Sequence, residues 1–202
     1  MARKYEPEPV VYSSLGLPAL CQKLQNSATC GILELGPVRS GNVEFWSRFS
    51  PFLYIADLRS SLPLPALPSE DLEFIAPDWR SLLGLPGNRT YNVVLAWDLF
   101  NYLELPAVSS LIEYLKHYCR PGAVLFSLIF DEKQMPAKIT VYQIADESHL
   151  KYDRAGSELC ACPRHQPRAL ASVMTRFRIA DSFRLRNGVI EYLFEYEGEK
   201  PG

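Results

Sequence analysis

The chain has 202 residues, 48% of them hydrophobic and 22% charged, with a net charge of -2 at pH 7. That is enough for one domain with a proper core, and the near-neutral balance gives no electrostatic reason to expect a nucleic acid partner. No stretch reaches the ~20 apolar residues a membrane span needs, and Met1 to Pro9 is polar rather than the apolar core of a signal peptide, so the expected location is the cytoplasm.

Residues 1–9 read as a loosely docked arm. Val11, Leu15, Leu20 and Leu24 then predict a helix within residues 10–26, interrupted near Pro18. Cys30 to Leu35 is a short apolar run ahead of Gly36-Pro37, the pattern of a buried parallel strand. Val43, Phe45, Trp46 and Phe49 give residues 42–49 a short helical face, and Pro51 ends it. Phe52 to Ala56 is the next strand, followed at once by Asp57. Prolines 63, 65, 68, 77 and 86 forbid long regular elements over residues 60–88, leaving room for a short strand at 72–75.

Tyr91 to Trp97 carries the strongest strand signal, and Asp98 ends it. Val108, Leu111, Ile112, Leu115 and Tyr118 share one helical face over residues 106–120, Pro121-Gly122 stops that helix, and Ala123 to Phe130 is a buried strand. Residues 131–166 interrupt the alternation: they hold a strand at 138–144 and end in Cys160-Ala161-Cys162-Pro163-Arg164-His165. A helix over 167–176 follows, then strands at 177–184 and 189–196 around Asn187-Gly188, a hairpin signal. The organisation expected is an arm and helix over 1–26, then one α/β domain over 27–202 with an insertion at about 131–166. The five cysteines form no disulfide framework, and Cys30 and Cys119 read as small buried hydrophobes.

Glu34-Leu35-Gly36, with Asp57 21 positions after the glycine, is the most informative segment. A strand, a glycine turn, a helix start and a second strand ending on a lone carboxylate is the order in which an α/β domain holds an adenosine. Asp57 would accept hydrogen bonds from the ribose diol; its alternative is a solvated turn residue beside Arg59. Cys160, Cys162 and His165 supply three metal-ligand types with no fourth, so no metal is expected.

Together with Asn92-Val93-Val94-Leu95-Ala96-Trp97-Asp98, the run Arg120 to Leu125 and the terminal hairpin, that segment resembles the class I S-adenosylmethionine-dependent methyltransferases over roughly residues 25–196. The resemblance implies a doubly wound, Rossmann-like α/β sheet whose last strand is antiparallel. It implies S-adenosylmethionine over the carboxyl ends of the first strands, and methyl transfer to a small-molecule or protein acceptor. Glu34, Gly36, Pro37, Asn42, Asp57, Asp78, Trp79 and Trp97 would hold the cofactor. Asp98, Asn101 and Tyr102 are the candidates to orient an acceptor or take its proton, and Tyr142, His149 and Tyr152 of the insertion are candidates to line its pocket. Asp98 as a helix cap and Trp79 as a core plug are the plainer readings.

The family's turn is acidic-x-Gly-x-Gly-x-Gly, whereas Val38 and Ser40 stand where its later glycines fall, and Gly41 comes one place late. That departure motivates an alternative, a catalytically inactive binding or scaffold protein in the same fold. An open cleft lined by Asp57 favours the enzyme; a cleft plugged by Val38, Arg39 or Trp46 favours the scaffold. A nicotinamide-dependent oxidoreductase is the weaker third reading, because the chain lacks Gly-x-Gly-x-x-Gly.

Overall fold

A computed structural model describes residues 9–25, 30–58, 60–62, 75–152 and 158–199. The chain opens with strand β1 (Val10–Ser13), helix α1 (Gly16–Gln25), strand β2 (Gly31–Glu34), helix α2 (Ser40–Ser47) and strand β3 (Phe52–Ile55). Helix α3 (Trp79–Leu83), strand β4 (Tyr91–Trp97), a 3-10 turn over Leu99–Tyr102 and helix α4 (Leu105–Lys116) come next. The long strand β5 (Cys119–Phe130) leads into the insertion, which holds β6 (Gln134–Pro136), β7 (Tyr142–Asp146), β8 (His149–Tyr152) and β9 (Leu159–Ala161). Helix α5 (Pro167–Val173) and the hairpin β10 (Phe177–Arg184) and β11 (Val189–Tyr196) complete it.

Among the described residues, six strands make the central sheet in the order β10-β11-β5-β4-β2-β3. Strands β3, β2, β4 and β5 are parallel, and β11 runs antiparallel between β5 and β10. Apolar side chains cover both faces, as a parallel sheet requires. One face buries Leu33, Val94, Leu111 and Leu170 with α3, α4 and α5; the other buries Leu17, Ile32, Trp46, Leu95 and Phe126 with α1 and α2. Asp78 caps α3 by accepting from the Ser81 amide at 3.2 Å, and Gly84 ends the helix at φ 56°, a left-handed conformation that suits glycine.

The structure corrects the expectation at four places. Residues 10–13 are a strand, paired with β8 from Val10↔Tyr152 to Ser13↔His149, so β1, β8 and β7 form a separate three-stranded sheet. Pro18 does not interrupt α1, because it falls in the first turn, where a missing amide costs nothing. Helix α4 stops at Lys116, and β5 begins at Cys119 and runs through Pro121-Gly122 rather than starting after them. The strand of the insertion starts at Tyr142 rather than at residue 138. The weak strand expected at 72–75 falls almost wholly outside the described residues, as does the arm over 1–9.

Candidate functional site

The chain leaves β2 towards β3 on one side and later enters β4 on the other, so the direction of winding reverses between β2 and β4. At such a switch point the loops beyond the carboxyl ends diverge, and open α/β sheets bind ligands there. Here the loop after β2 brings Glu34 and Gly36, and the end of β4 brings Trp97 and Asp98.

Trp97 owes its position to a break in the ladder. Leu95 pairs with Phe126 but Trp97 pairs with Ser127, a one-residue slip, and Trp97 takes φ 48°, uncommon for any residue but glycine. The Ser127 hydroxyl donates to the Trp97 carbonyl at 3.1 Å and holds the bulge. The indole, 3% exposed, lies across Gly36: a Cβ on that glycine would stand 2.9 Å from Trp97 Cδ1 and 3.0 Å from Glu34 Oε1. The indole Nε1 donates to Glu34 Oε1. The ring also stacks on Tyr142 of β7, with centroids 5.6 Å apart and planes 14° from parallel.

Glu34 is 2% exposed and Asp98 is fully buried. Burial pushes the Glu34 carboxyl up to about 8 against the opposing pull of its Trp97 hydrogen bond. Burial likewise raises Asp98 to about 7. Asp98 Oδ2 accepts from the Thr140 amide at 3.0 Å, but Asp98 Oδ1 and Glu34 Oε2 have no hydrogen-bond partner. A buried polar group left so costs about 1–3 kcal/mol.

The insertion and β1 close over this end of the sheet. Asn42 of α2 donates to the Tyr142 carbonyl at 3.1 Å and accepts from the Ile144 amide at 2.8 Å, fastening β7 to α2. The Tyr102 hydroxyl donates to the Lys138 carbonyl at 2.7 Å. Asn101 is engaged three ways, donating to the carbonyls of Asp98 and Leu128 and accepting from the Phe130 amide. Pro37 is half-buried beside Gly36.

Asp57 sits just past β3, half-exposed, and accepts from the Ser60 hydroxyl at 3.0 Å. Asp78 and Trp79 lie apart from the Trp97 group. Trp79 is buried on the α4 side, and its Nε1 donates to Ser110 Oγ at 2.9 Å. Trp46 is a core residue at 0% exposure, and Val38 is exposed, so neither fills the space over Gly36; Trp97 does. His149 pairs with Asp146 at 2.9 Å, and Tyr152 packs edge-on against Tyr12. Cys160 and Cys162 point their thiols at main-chain carbonyls, and His165 Nε2 lies 2.9 Å from the Phe100 carbonyl. Among the described residues no three His, Cys, Asp or Glu side chains gather as a metal set.

Sequence reasoning did not single out Tyr12, Thr140 or the functional potential of Glu191. The one available signal was a lone carboxylate inside the apolar run of β11, where every neighbour from Val189 to Phe194 is buried. Among the described residues no helix is long and apolar enough to cross a membrane.

No protein-family model and no curated protein sequence matches the chain. Solved structures do. A S-adenosylmethionine-dependent methyltransferase from Clostridium acetobutylicum aligns over 89% of this chain and 89% of its own, at 12% identity and a TM-score of 0.52. An amino pentose methyltransferase from Micromonospora echinaspora, solved with S-adenosylmethionine bound, aligns over 89% of each chain at 13% identity and a TM-score of 0.52. The CcbJ methyltransferase from Streptomyces caelestis covers 91% of this chain and 90% of its own at 14% identity and a TM-score of 0.50. Strand order, the antiparallel hairpin and these likenesses agree: the chain has the class I methyltransferase-like fold.

Proposed function

We propose that the chain binds S-adenosylmethionine at the carboxyl ends of β2, β3 and β4 and takes part in methyl transfer to a small-molecule acceptor. One observation carries this reading: Glu34, buried at the switch point beside a glycine, keeps one carboxyl oxygen without a partner. A core with no ligand to receive is cheaper with an apolar side chain there, whereas an open, buried carboxyl that gives up its proton as a cation arrives suits a donor such as an amino acid's ammonium. Glu34 would accept from that group, Asp57 would take the ribose diol, and Gly36 would let the ligand approach the main chain. When bound, the cofactor supplies an electrophilic methyl group on a sulfonium. The fit has one condition: the Trp97 indole must leave Gly36 and release Glu34. The fold's likeness to a methyltransferase solved with S-adenosylmethionine supports the reading. Cytoplasmic residence completes it, in keeping with the five free thiols.

The second reading is the non-catalytic scaffold, favoured by the same indole: with Trp97 held permanently against Gly36 and stacked on Tyr142, no cofactor enters. Thermal unfolding with S-adenosylhomocysteine separates the two. Ligand at 100 times its dissociation constant adds about 2.7 kcal/mol, which for a chain of this size raises the midpoint by roughly 5–10 °C. The enzyme reading expects that rise in the wild type and its loss in Asp57→Ala. An unchanged midpoint at millimolar ligand, with flat calorimetry, leaves the scaffold.

A further inference from the structure

Four separate stretches of chain bring unpartnered, buried polar atoms to the region where β1 and the approach to β7 cover the sheet: the Tyr12 hydroxyl, Asp98 Oδ1, the Thr140 hydroxyl and Glu191 Oε1. Asp98 and Glu191 are fully buried, and Thr140 is 9% exposed. The Tyr12 hydroxyl lies in the field of both carboxyls, and the Tyr142 hydroxyl in that of Asp98, Tyr12 and Tyr102. We propose that these groups form a binding site for a protonated amine, so that the acceptor is an amine; this rests on the methyl-transfer reading above.

The two carboxyls are held by one oxygen each and leave the other open. Asp98 Oδ2 accepts from the Thr140 amide, and Glu191 Oε2 accepts from the amides of Leu15 and Gly16 at 2.8 and 2.6 Å. Those bonds fix where the open oxygens lie. A carboxylate ligand is repelled by either group once ionised and brings no donor to its open oxygen. An alcohol or phenol brings one donor for two open acceptors, and a thiol brings a weak one. An ammonium brings up to three donors and the complementary charge, and the hydroxyls of Tyr12 and Thr140 can accept what remains.

The site adjoins the place of chemistry through the backbone, since Asp98 directly follows Trp97, whose ring covers Gly36. An amine bound as ammonium must lose one proton before its nitrogen can act as a nucleophile. The N–H bond breaks, its electron pair stays on nitrogen, and the proton passes to Asp98 Oδ1. Burial has tuned that carboxyl to about 7, where it can both hold the cation and accept its proton. The groups facing it are Tyr12, Tyr102, Thr140 and Tyr142, and Glu191 in turn faces Tyr12. Entry requires the β1-β8-β7 sheet to lift, which breaks the Thr140–Asp98 bond and the Trp97–Tyr142 stack together.

The test is calorimetry on protein first saturated with S-adenosylhomocysteine, with benzylamine, phenol and benzoate as probes of similar size. Benzylamine is expected to bind at least about tenfold tighter than either of the others. Asp98→Asn is expected to remove that preference. Tyr12→Phe is expected to weaken benzylamine about threefold while raising the unfolding midpoint, because it deletes an unsatisfied hydroxyl. Benzylamine binding no tighter than phenol, or indifferent to both substitutions, overturns the amine site while the measured S-adenosylhomocysteine affinity keeps the cofactor reading. Failure to bind S-adenosylhomocysteine at all overturns that reading, and the amine site with it.

Discussion

The indole of Trp97 covers Gly36 so closely that a single added methyl on the glycine would stand 2.9 Å from its Cδ1. The two residues are 61 positions apart in sequence and meet only because β2 and β4 are neighbours at the switch point. Gly36→Ala is therefore expected to destabilise the fold by about 1–3 kcal/mol through overpacking, lowering the midpoint by about 2–4 °C per kcal/mol. The cost should shrink in a Trp97→Ala background, and a double-mutant cycle on denaturant midpoints measures that coupling. Additive losses would mean that the ring does not lie where it is described.

Stability should fall as pH rises through neutrality. Glu34 and Asp98 have carboxyls raised by burial to about 8 and about 7, so the folded state holds protons that the unfolded chain has released. Their contribution is full below the ordinary carboxylate range and is lost as pH climbs through those raised values. Asp78, Glu113, Asp131, Asp146 and Glu195 are shifted the other way and act only in acid, so they leave the window above about pH 5 clear. Urea unfolding at intervals from pH 5 to 9 should show the decline, and Glu34→Gln should flatten it. A level profile in the wild type would contradict the burial of both groups.

Asn101 should behave as a structural residue. It makes bonds of 2.9, 2.8 and 2.9 Å to the Asp98 carbonyl, the Leu128 carbonyl and the Phe130 amide, tying the turn after β4 to β5. Asn101→Ala should cost about 3 kcal/mol in unfolding experiments. At temperatures where the variant stays folded, its affinity for S-adenosylhomocysteine should match the wild type. A large affinity loss with stability intact would give Asn101 a direct part in the site.

Much of this fold was legible from local pattern. The apolar runs of β2, β3, β4 and β5 and the Asn187-Gly188 turn announce themselves because parallel strands are buried on both faces and tight hairpins need a particular turn. Strand β1 was hidden: its four residues alternate in burial, and only pairing with β8, some 140 positions later, makes them a strand. The site was half legible. The positions of Glu34, Gly36 and Asp57 follow from strand ends, and those the sequence marks. The stack of Trp97 on Tyr142 depends on how the insertion folds back over β4, and no local period encodes that. The open oxygen of Glu191 is equally invisible, because a carboxylate in a strand pattern does not say which atoms it will meet.

The most direct measurement is the indole region of a nitrogen-15 NMR spectrum titrated with S-adenosylmethionine. The chain has three tryptophans, and Trp97→Phe identifies the resonance of the one bonded to Glu34. Cofactor is expected to move the Trp97 indole signal, as its bond to Glu34 breaks, and to leave those of Trp46 and Trp79 in place. Saturating cofactor that leaves the Trp97 signal unmoved would contradict that expectation.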